Sequence, residues 1–249
     1  EQKLTLKQSW KILELLGRDY AKKLVHVPFG LINLESGRMS TRKGNIVLLE
    51  EVLDDAHAFA LEEVRKKQDY DGKTADDIAE KVGVAALKYA VLKLQAEKPI
   101  TFDIKESVKF DGNTAAYLQY TAVRAKNILR KAGEEKNAAA SESSPSNAAA
   151  NQGAKTEPYC FNDNERSLSA ALSSFPSEVE SSARNLQVNN LCNYLYRAAT
   201  EFSSFYDACP VLKTETPEKR SARLEMVAAL LVVLENGLDL LGIAIPEKM

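Results

Sequence analysis

One stretch constrains the fold more than any other. Leu224, Val227, Leu231, Leu234, Leu238 and Leu241 recur at steps of three, four, three, four and three. A helix of 3.6 residues per turn gathers all six into a single apolar stripe. Thr216 is a fitting N-cap, Pro217 suits the first helical turn, and Gly242 is a natural stop. A stripe that long must be covered, and the sequence offers partners of the same period. Leu191, Leu195, Ala198, Phe202 and Phe205 mark one helix, ending before Pro210. Leu168, Leu172, Phe175 and Val179 mark another, broken or kinked at Pro176. Leu118, Thr121, Ala125 and Ile128 or Leu129 mark a third, opened by Thr114 as N-cap and running to about residue 132. Ile78, Val82, Ala85, Tyr89 and Leu92 mark a fourth, after a polar connection from Asp69 to Asp76. Gly83 inside that helix costs roughly 1 kcal/mol against alanine, which points to a close neighbour. These faces cover one another in an α-helical bundle.

The first 60 residues read differently. Leu6, Trp10, Leu13 and Leu16 give an amphipathic helix ended near Gly17. Leu24–Val27 reads as a short buried strand stopped by Pro28 and Gly30, and Leu31–Leu34 continues it. Ile46–Leu49 reads as a second strand, and Glu50 onward as a helix with Val52, Ala56, Phe59 and Val64 as a loose stripe. Phe102 and Ile104 form a brief extended piece after Pro99. The chain is therefore mainly α, a small α/β piece followed by the bundle. Residues 134–157 contain no large apolar side chain and mix Ala with Ser, Asn, Pro and Gly; they read as a flexible surface insertion. There is no convincing internal repeat.

Charge and cysteine content narrow the function classes. Across 249 residues, 33 Lys+Arg stand against 35 Asp+Glu, so bulk charge does not grip nucleic acid, although a local basic patch can. Three cysteines, Cys160, Cys192 and Cys209, have no paired spacing. They read as buried thiols in a reducing compartment, the cytoplasm, rather than a disulfide frame or a zinc site. No apolar run is long enough to span a bilayer, and no metal-ligand cluster is expected. The chain opens on Glu1, directly into patterned sequence, which reads as part of a longer polypeptide.

Two places could carry chemistry. The segment 35–45 is a loop with Arg38, Arg42 and Lys43 among Ser40, Thr41 and Gly44. By composition alone this is a solvated basic loop; behind a strand it is a polyphosphate grip, because ligands of α/β sheets gather at strand ends. The second is the helix start carrying Asn113, Tyr117, Gln119, Tyr120 and Arg124. On pattern alone Tyr117 and Tyr120 are core residues at helical spacing. If they are open, Tyr faces stack unpaired bases while Asn, Gln and Arg read base edges. His57 reads as a surface residue with no ligand partner, Glu62–Glu63 with Arg65–Lys67 as a solvated helix face, and Tyr194 and Phe205 as core.

These residues carry a family resemblance. His26-Val-Pro-Phe-Gly-Leu followed by Gly37-Arg-Met-Ser-Thr-Arg-Lys-Gly-Asn resembles the H-x-x-F-G strand and KMSKS-type loop of the arginyl-tRNA synthetases, a class I family. Phe110-Asp-Gly-Asn-Thr-Ala-Ala-Tyr-Leu-Gln-Tyr-Thr-Ala-Val-Arg resembles their F-E-G-N-T-A-P-Y-x-Q-Y-A-x-x-R stretch, and Val82-Gly-Val-Ala-Ala-Leu-Lys-Tyr-Ala their G-x-x-A-V-K-Y helix. Tyr194 through Tyr206, Gly237-Leu-Asp-Leu-Leu-Gly-Ile and Pro246-Glu-Lys-Met249 are similar to their DALR-type anticodon-binding domain.

The resemblance implies a C-terminal remnant of a Rossmann-like catalytic domain over residues 1–60, connecting helices over 61–106, and an anticodon-binding bundle over 107–249. It implies arginine–tRNA ligase activity in the full enzyme: ATP, with magnesium, activates arginine, which passes to tRNA(Arg). By motif position Arg38, Ser40 and Arg42 would be the catalytic loop residues. His26, Phe29, Met39, Thr41 and Lys43 would contact ATP. Arg38, Thr41 and Arg42 replace the usual lysine, lysine and serine; arginine keeps the charge of lysine but changes its geometry. Asn113, Tyr117, Gln119, Tyr120, Arg124 and Met249 would bind the anticodon, with Met249 and its carboxylate close to that site in relatives. Asn189 stands where relatives often carry His. The HIGH signature and the arginine pocket lie upstream in the family, so this stretch alone is expected to be inactive. The protein is expected to be a monomer without a membrane partner. The competing readings are a non-catalytic tRNA-binding protein from a truncated or decayed synthetase, and a helical interaction scaffold.

Overall fold

A computed structural model describes residues 2–30, 32–34, 48–142, 159–214 and 216–249. Among these the elements are α1 (Lys3–Leu15), a 3-10 turn (Asp19–Lys23), β1 (Ile32–Leu34), α2 (Leu49–Lys67), α3 (Gly72–Leu92), β2 (Ile100–Phe102), α4 (Ile104–Ser107), α5 (Ala115–Glu142), α6 (Asp163–Ser173), α7 (Phe175–Asn185), α8 (Val188–Ala208) and α9 (Pro217–Leu240). The mainly α expectation holds.

The extended pieces are fewer than the apolar runs suggest. β1 and β2 pair in parallel, with Ile32 opposite Ile100 and Leu34 opposite Phe102. Leu24–Val27 is neither a strand nor buried: Val25 and Val27 are exposed, and the segment has no ladder partner among the described residues. An apolar run becomes a strand only when a neighbour takes its hydrogen bonds. Leu48 and Leu49, assigned above to a second strand, instead open α2; the Glu51 carboxylate accepts from the Leu48 N–H at 3.4 Å. Ile46 and Val47 lie outside the described residues. Ile104 starts α4, with Asp103 as its N-cap accepting from the Glu106 N–H.

α2 and α3 form an antiparallel hairpin whose connection is shorter than expected. Asp71 caps α3 through the Thr74 N–H at 3.0 Å, so the helix begins at Gly72. The close neighbour expected at Gly83 is the backbone of α2: a Cβ there would lie 3.0 Å from both the Ala56 carbonyl carbon and the His57 nitrogen. His57 is not a free surface residue. It is half-buried against α3, with Nε2 3.1 Å from Asp76 Oδ1. Ala60, Val64, Ile78, Ala79 and Val82 make the small core between the two helices.

The larger core belongs to α5, α6, α8 and α9. Phe202, Phe205, Leu195, Leu230, Leu234 and Leu238 are fully buried there, as is Tyr194 nearly so. Burying a side chain such as Phe202 contributes roughly 1.5–3 kcal/mol. Thr216 caps α9 through the Lys219 N–H at 3.4 Å, and Gly242, at φ 66°, closes it with hydrogen bonds from Gly242 N–H to Asp239 O and Ile243 N–H to Leu238 O. Pro176 sits in the first turn of α7, and Ser174 is the break between α6 and α7.

α2 runs unbroken through residue 60, so the catalytic end and the connecting helices share one helix. α5 continues to Glu142, so the start of the segment read as a flexible insertion is helical; its alanines outweigh its few breakers until residue 142. Residues 143–158 lie outside the described residues. Where the chain re-enters the bundle, Tyr159 bonds Glu165, whose carboxylate is fully buried and 2.7 Å from Arg223 Nε. Arg223 Nη1 also reaches Pro210 O at 2.8 Å. Burial pushes the Glu165 carboxyl up, but hydrogen bonds from Tyr159 and Arg223 outweigh it and hold the group below the usual carboxylate range. Cys192 and Cys209 are buried as expected; Cys160 is exposed, a correction to the reading of all three as interior thiols.

Candidate nucleic-acid interface

The start of α5 is fixed by Thr114. Its hydroxyl donates to Lys109 O at 2.7 Å and accepts from the Tyr117 N–H at 3.2 Å. The first turns of α5 and the residue leading into them then deal their polar side chains to three different surroundings.

Tyr120 and Met249 come together. With Phe110, Tyr70, Ile78 and Val64 they line a recess of about 190 Å³, and Lys67 and Gln68 complete its rim. Phe110 and Tyr120 meet edge to face, with ring centroids 6.5 Å apart. The Lys67 ammonium lies 5.7 Å from the Phe110 ring centre. Tyr120 is 37% exposed, so the side chain is reachable from solvent. Tyr70 donates to Gln68 Oε1 at 3.2 Å, and burial raises its hydroxyl pKa, so it stays a neutral donor and acceptor at pH 7. The recess is smaller than the roughly 300–1,000 Å³ of a drug-sized pocket and suits one planar ring. A depression of about 360 Å³ along α2, between Ala58 and Lys66, is larger but is a surface of one helix.

Tyr117 and Arg124 face α8. The Tyr117 hydroxyl is 3.0 Å from Ser203 Oγ and 3.3 Å from Ala199 O, and its ring meets Tyr196 at 5.8 Å. The Arg124 guanidinium lies 4.1 Å above the Tyr206 ring. Asn113 bridges α3 and α8: its Oδ1 accepts from Tyr89 at 2.7 Å, its Nδ2 donates to Asn193 Oδ1 at 3.3 Å, and its carbonyl accepts from Lys93 Nζ at 2.9 Å. Burial lowers the Lys93 pKa and raises the Tyr89 one.

Gln119 is in neither place. It is fully buried, and Nε2 donates to Ala244 O at 2.6 Å and to Lys81 O at 3.3 Å. Lys67, Phe110 and Tyr70 were not among the residues picked from sequence. Phe110 opens the motif that contains Tyr120. Lys67 was legible only as part of a charged helix face, since its ring partner is distant in sequence.

The second candidate is only partly described. Arg38, Met39, Ser40, Thr41, Arg42 and Lys43 lie outside the described residues. His26 is half-buried, and Phe29 is 90% exposed. Gly30 is pressed against the turn after α3: its N–H donates to Ala96 O at 2.6 Å, and a Cβ would lie 2.2 Å from Lys98 O. The His26–Phe29 segment is therefore anchored at its exit. Among the described residues, no group of three or more His, Cys, Asp or Glu side chains could hold a metal ion, and no helix is long and apolar enough to cross a membrane.

Comparison with known proteins supplies the context. Residues 118–249 match the family described as DALR anticodon binding domain, and residues 1–104 the family described as tRNA synthetases class I (R), catalytic domain. Arginine–tRNA ligases of Clostridium perfringens and Chloroflexus aurantiacus are 35% and 38% identical over the whole chain. The chain spans 41% of the length of each. The arginyl-tRNA synthetase of Thermus thermophilus superposes with a TM-score of 0.77 at 30% identity, over 95% of this chain and 38% of that one.

Proposed function

The chain belongs to the class I arginyl-tRNA synthetase family, and from that premise we propose that it is the anticodon-binding and phosphate-loop portion of an arginine–tRNA ligase. In the whole enzyme, ATP activates arginine and the arginyl group passes to tRNA(Arg). Residues 1–60 contribute the end of the catalytic domain, 61–106 connecting helices and 107–249 the anticodon-binding bundle. The enzyme works as a cytoplasmic monomer.

The observation that carries this reading is the recess of Phe110, Tyr120 and Met249 with a lysine at its rim, on a bundle matching an anticodon-binding family. A solvent-reachable tyrosine and an apolar wall stack a base, and an ammonium beside them attracts the phosphate that accompanies it. Tyr117 and Arg124 extend the contact along α8, and Asn113 sets the angle at which α5 meets α3 and α8. At the other end, Phe29 offers an open ring to adenine with His26 beside it. Arg38, Ser40 and Arg42, with Met39, Thr41 and Lys43, steady the phosphates as pyrophosphate leaves.

Replacing Tyr120 by Ala in the intact protein tests the reading. Loss of one stacked base costs about 1–3 kcal/mol, so the Kd for a tRNA(Arg) transcript should rise roughly 5- to 150-fold. An unchanged Kd sinks the assignment of the recess.

A further inference from the structure

Gln119 lies on the same helix turn as the residues read above as base contacts, yet its side chain has no exposed surface. Its amide is spent on two backbone carbonyls: Ala244 O at 2.6 Å, in the segment after α9, and Lys81 O at 3.3 Å, in α3. Its own oxygen, Oε1, is buried and has no hydrogen-bond partner among the described residues. Leaving an acceptor unpaired costs about 1–3 kcal/mol. An amide that bears such a cost while clamping two carbonyls holds something that a leucine of similar size would not.

What it holds is the segment 241–249. Gly242 turns this segment off the end of α9, and Lys88 Nζ donates to Gly242 O at 2.5 Å. Leu241 and Ile243 are buried in the large core, whereas Met249 packs against the small one. The segment is therefore a strap between two apolar clusters. Ala244 itself is exposed, while Ile243 before it and Pro246 after it are buried and Ile245 packs against the large core, so apolar contacts hold the strap on both sides. Between those contacts the Gln119 hydrogen bond to Ala244 O fixes the backbone of the strap against α5. Five residues further on, Met249 forms a wall of the recess beside Tyr120.

We infer that Gln119 is a positioning residue for RNA recognition: it does not touch the base, but seats the strap that carries Met249 into the recess. The inference rests on the base-binding reading above and adds a residue that acts through another. It replaces a direct base contact by Gln119, for which the buried amide has no free donor face.

The test uses the intact protein and a tRNA(Arg) transcript. Gln119→Glu keeps the shape but puts an acceptor against two carbonyls. It should weaken RNA binding about tenfold, equivalent to one charge-assisted or well-made hydrogen bond. Removing residues 245–249 should weaken it at least as much. If Gln119 acts through the strap, Gln119→Glu has no further effect in the shortened chain, since residues that work as one unit are not additive. A second tenfold loss there means that Gln119 meets the RNA itself, and overturns the inference. Methyl-labelled methionine in the intact protein reads the strap directly, with Met249→Leu and Met226→Leu each assigning one signal. Gln119→Glu should move the Met249 methyl and leave that of Met226 in place. Movement of both signals means general loosening, and movement of neither means the strap is held otherwise; each overturns the inference. Tyr120→Ala separates the two levels. If it leaves RNA affinity unchanged, the base-binding reading fails, while the methyl spectrum still decides what seats the strap.

Discussion

α1 and α8 are both amphipathic in sequence, and they end in opposite states. α8 buries nine residues, among them Leu191, Leu195, Phe202 and Phe205. α1 buries none: Leu6, Trp10 and Leu13 of its stripe are only half-buried, and Leu16, which ends the stripe at the C-cap, is 67% exposed. The contrast separates two things that periodicity runs together. A 3.6-residue repeat says which face of a helix is apolar. It does not say that the cover for that face lies within the same stretch of chain.

The comparison breaks first where burial is most polar. Arg223→Met leaves the fully buried Glu165 carboxylate without its cation and should cost about 3–5 kcal/mol, read as a fall in the chemical-denaturation midpoint. The same pair contributes to the acid sensitivity of the bundle. The Glu165 pKa is lower folded than unfolded, so its stabilisation is complete above the unfolded value and is lost as pH falls through the folded one. A wild-type melting temperature that drops below pH 5, with a flatter profile in Arg223→Met, checks the sign. A smaller effect is expected in the α2–α3 hairpin. Gly83→Ala gains about 1 kcal/mol of helix propensity but drives a methyl into the Ala56–His57 backbone, which cannot yield as a side chain would. We expect a net loss of about 1–2 kcal/mol by the same measurement. The smallest belongs to α1. Leu16→Glu, at the end of its apolar stripe, should change stability by less than about 0.5 kcal/mol, as at other open surfaces. A loss above about 1.5 kcal/mol would show that α1 is covered after all, and that the two helices do not differ.

Part of the bundle was legible because several helices carry their own start signal, although α8 has no side-chain cap. Asp71, Asn162 and Thr216 cap α3, α6 and α9 with side-chain oxygens at hydrogen-bond distance, and Asp71 and Asn162 show that such signals are easily passed over. The strands were less legible. Leu24–Val27 is as apolar as Ile32–Leu34, and only the second found a partner, some 70 positions away. That pairing is a fact of tertiary structure with no local trace. The candidate site divides in the same way. Tyr120 and Met249 meet as the motif implies, while Gln119, one residue from Tyr120, faces inward, because successive helical residues point about 100° apart. Lys67 was invisible as a rim residue because its partner ring, Phe110, lies on a different element.

Gly83 has a mechanical corollary. Helices separated by ordinary side chains can shear, the knobs of one skipping between the hollows of the other. Here bare backbone meets bare backbone at 3.0 Å from any added methyl, and there are no knobs at that crossing to skip. With no side chain between them at that crossing, α2, about 28 Å long, and α3 sit closer there than side-chain-spaced helices can.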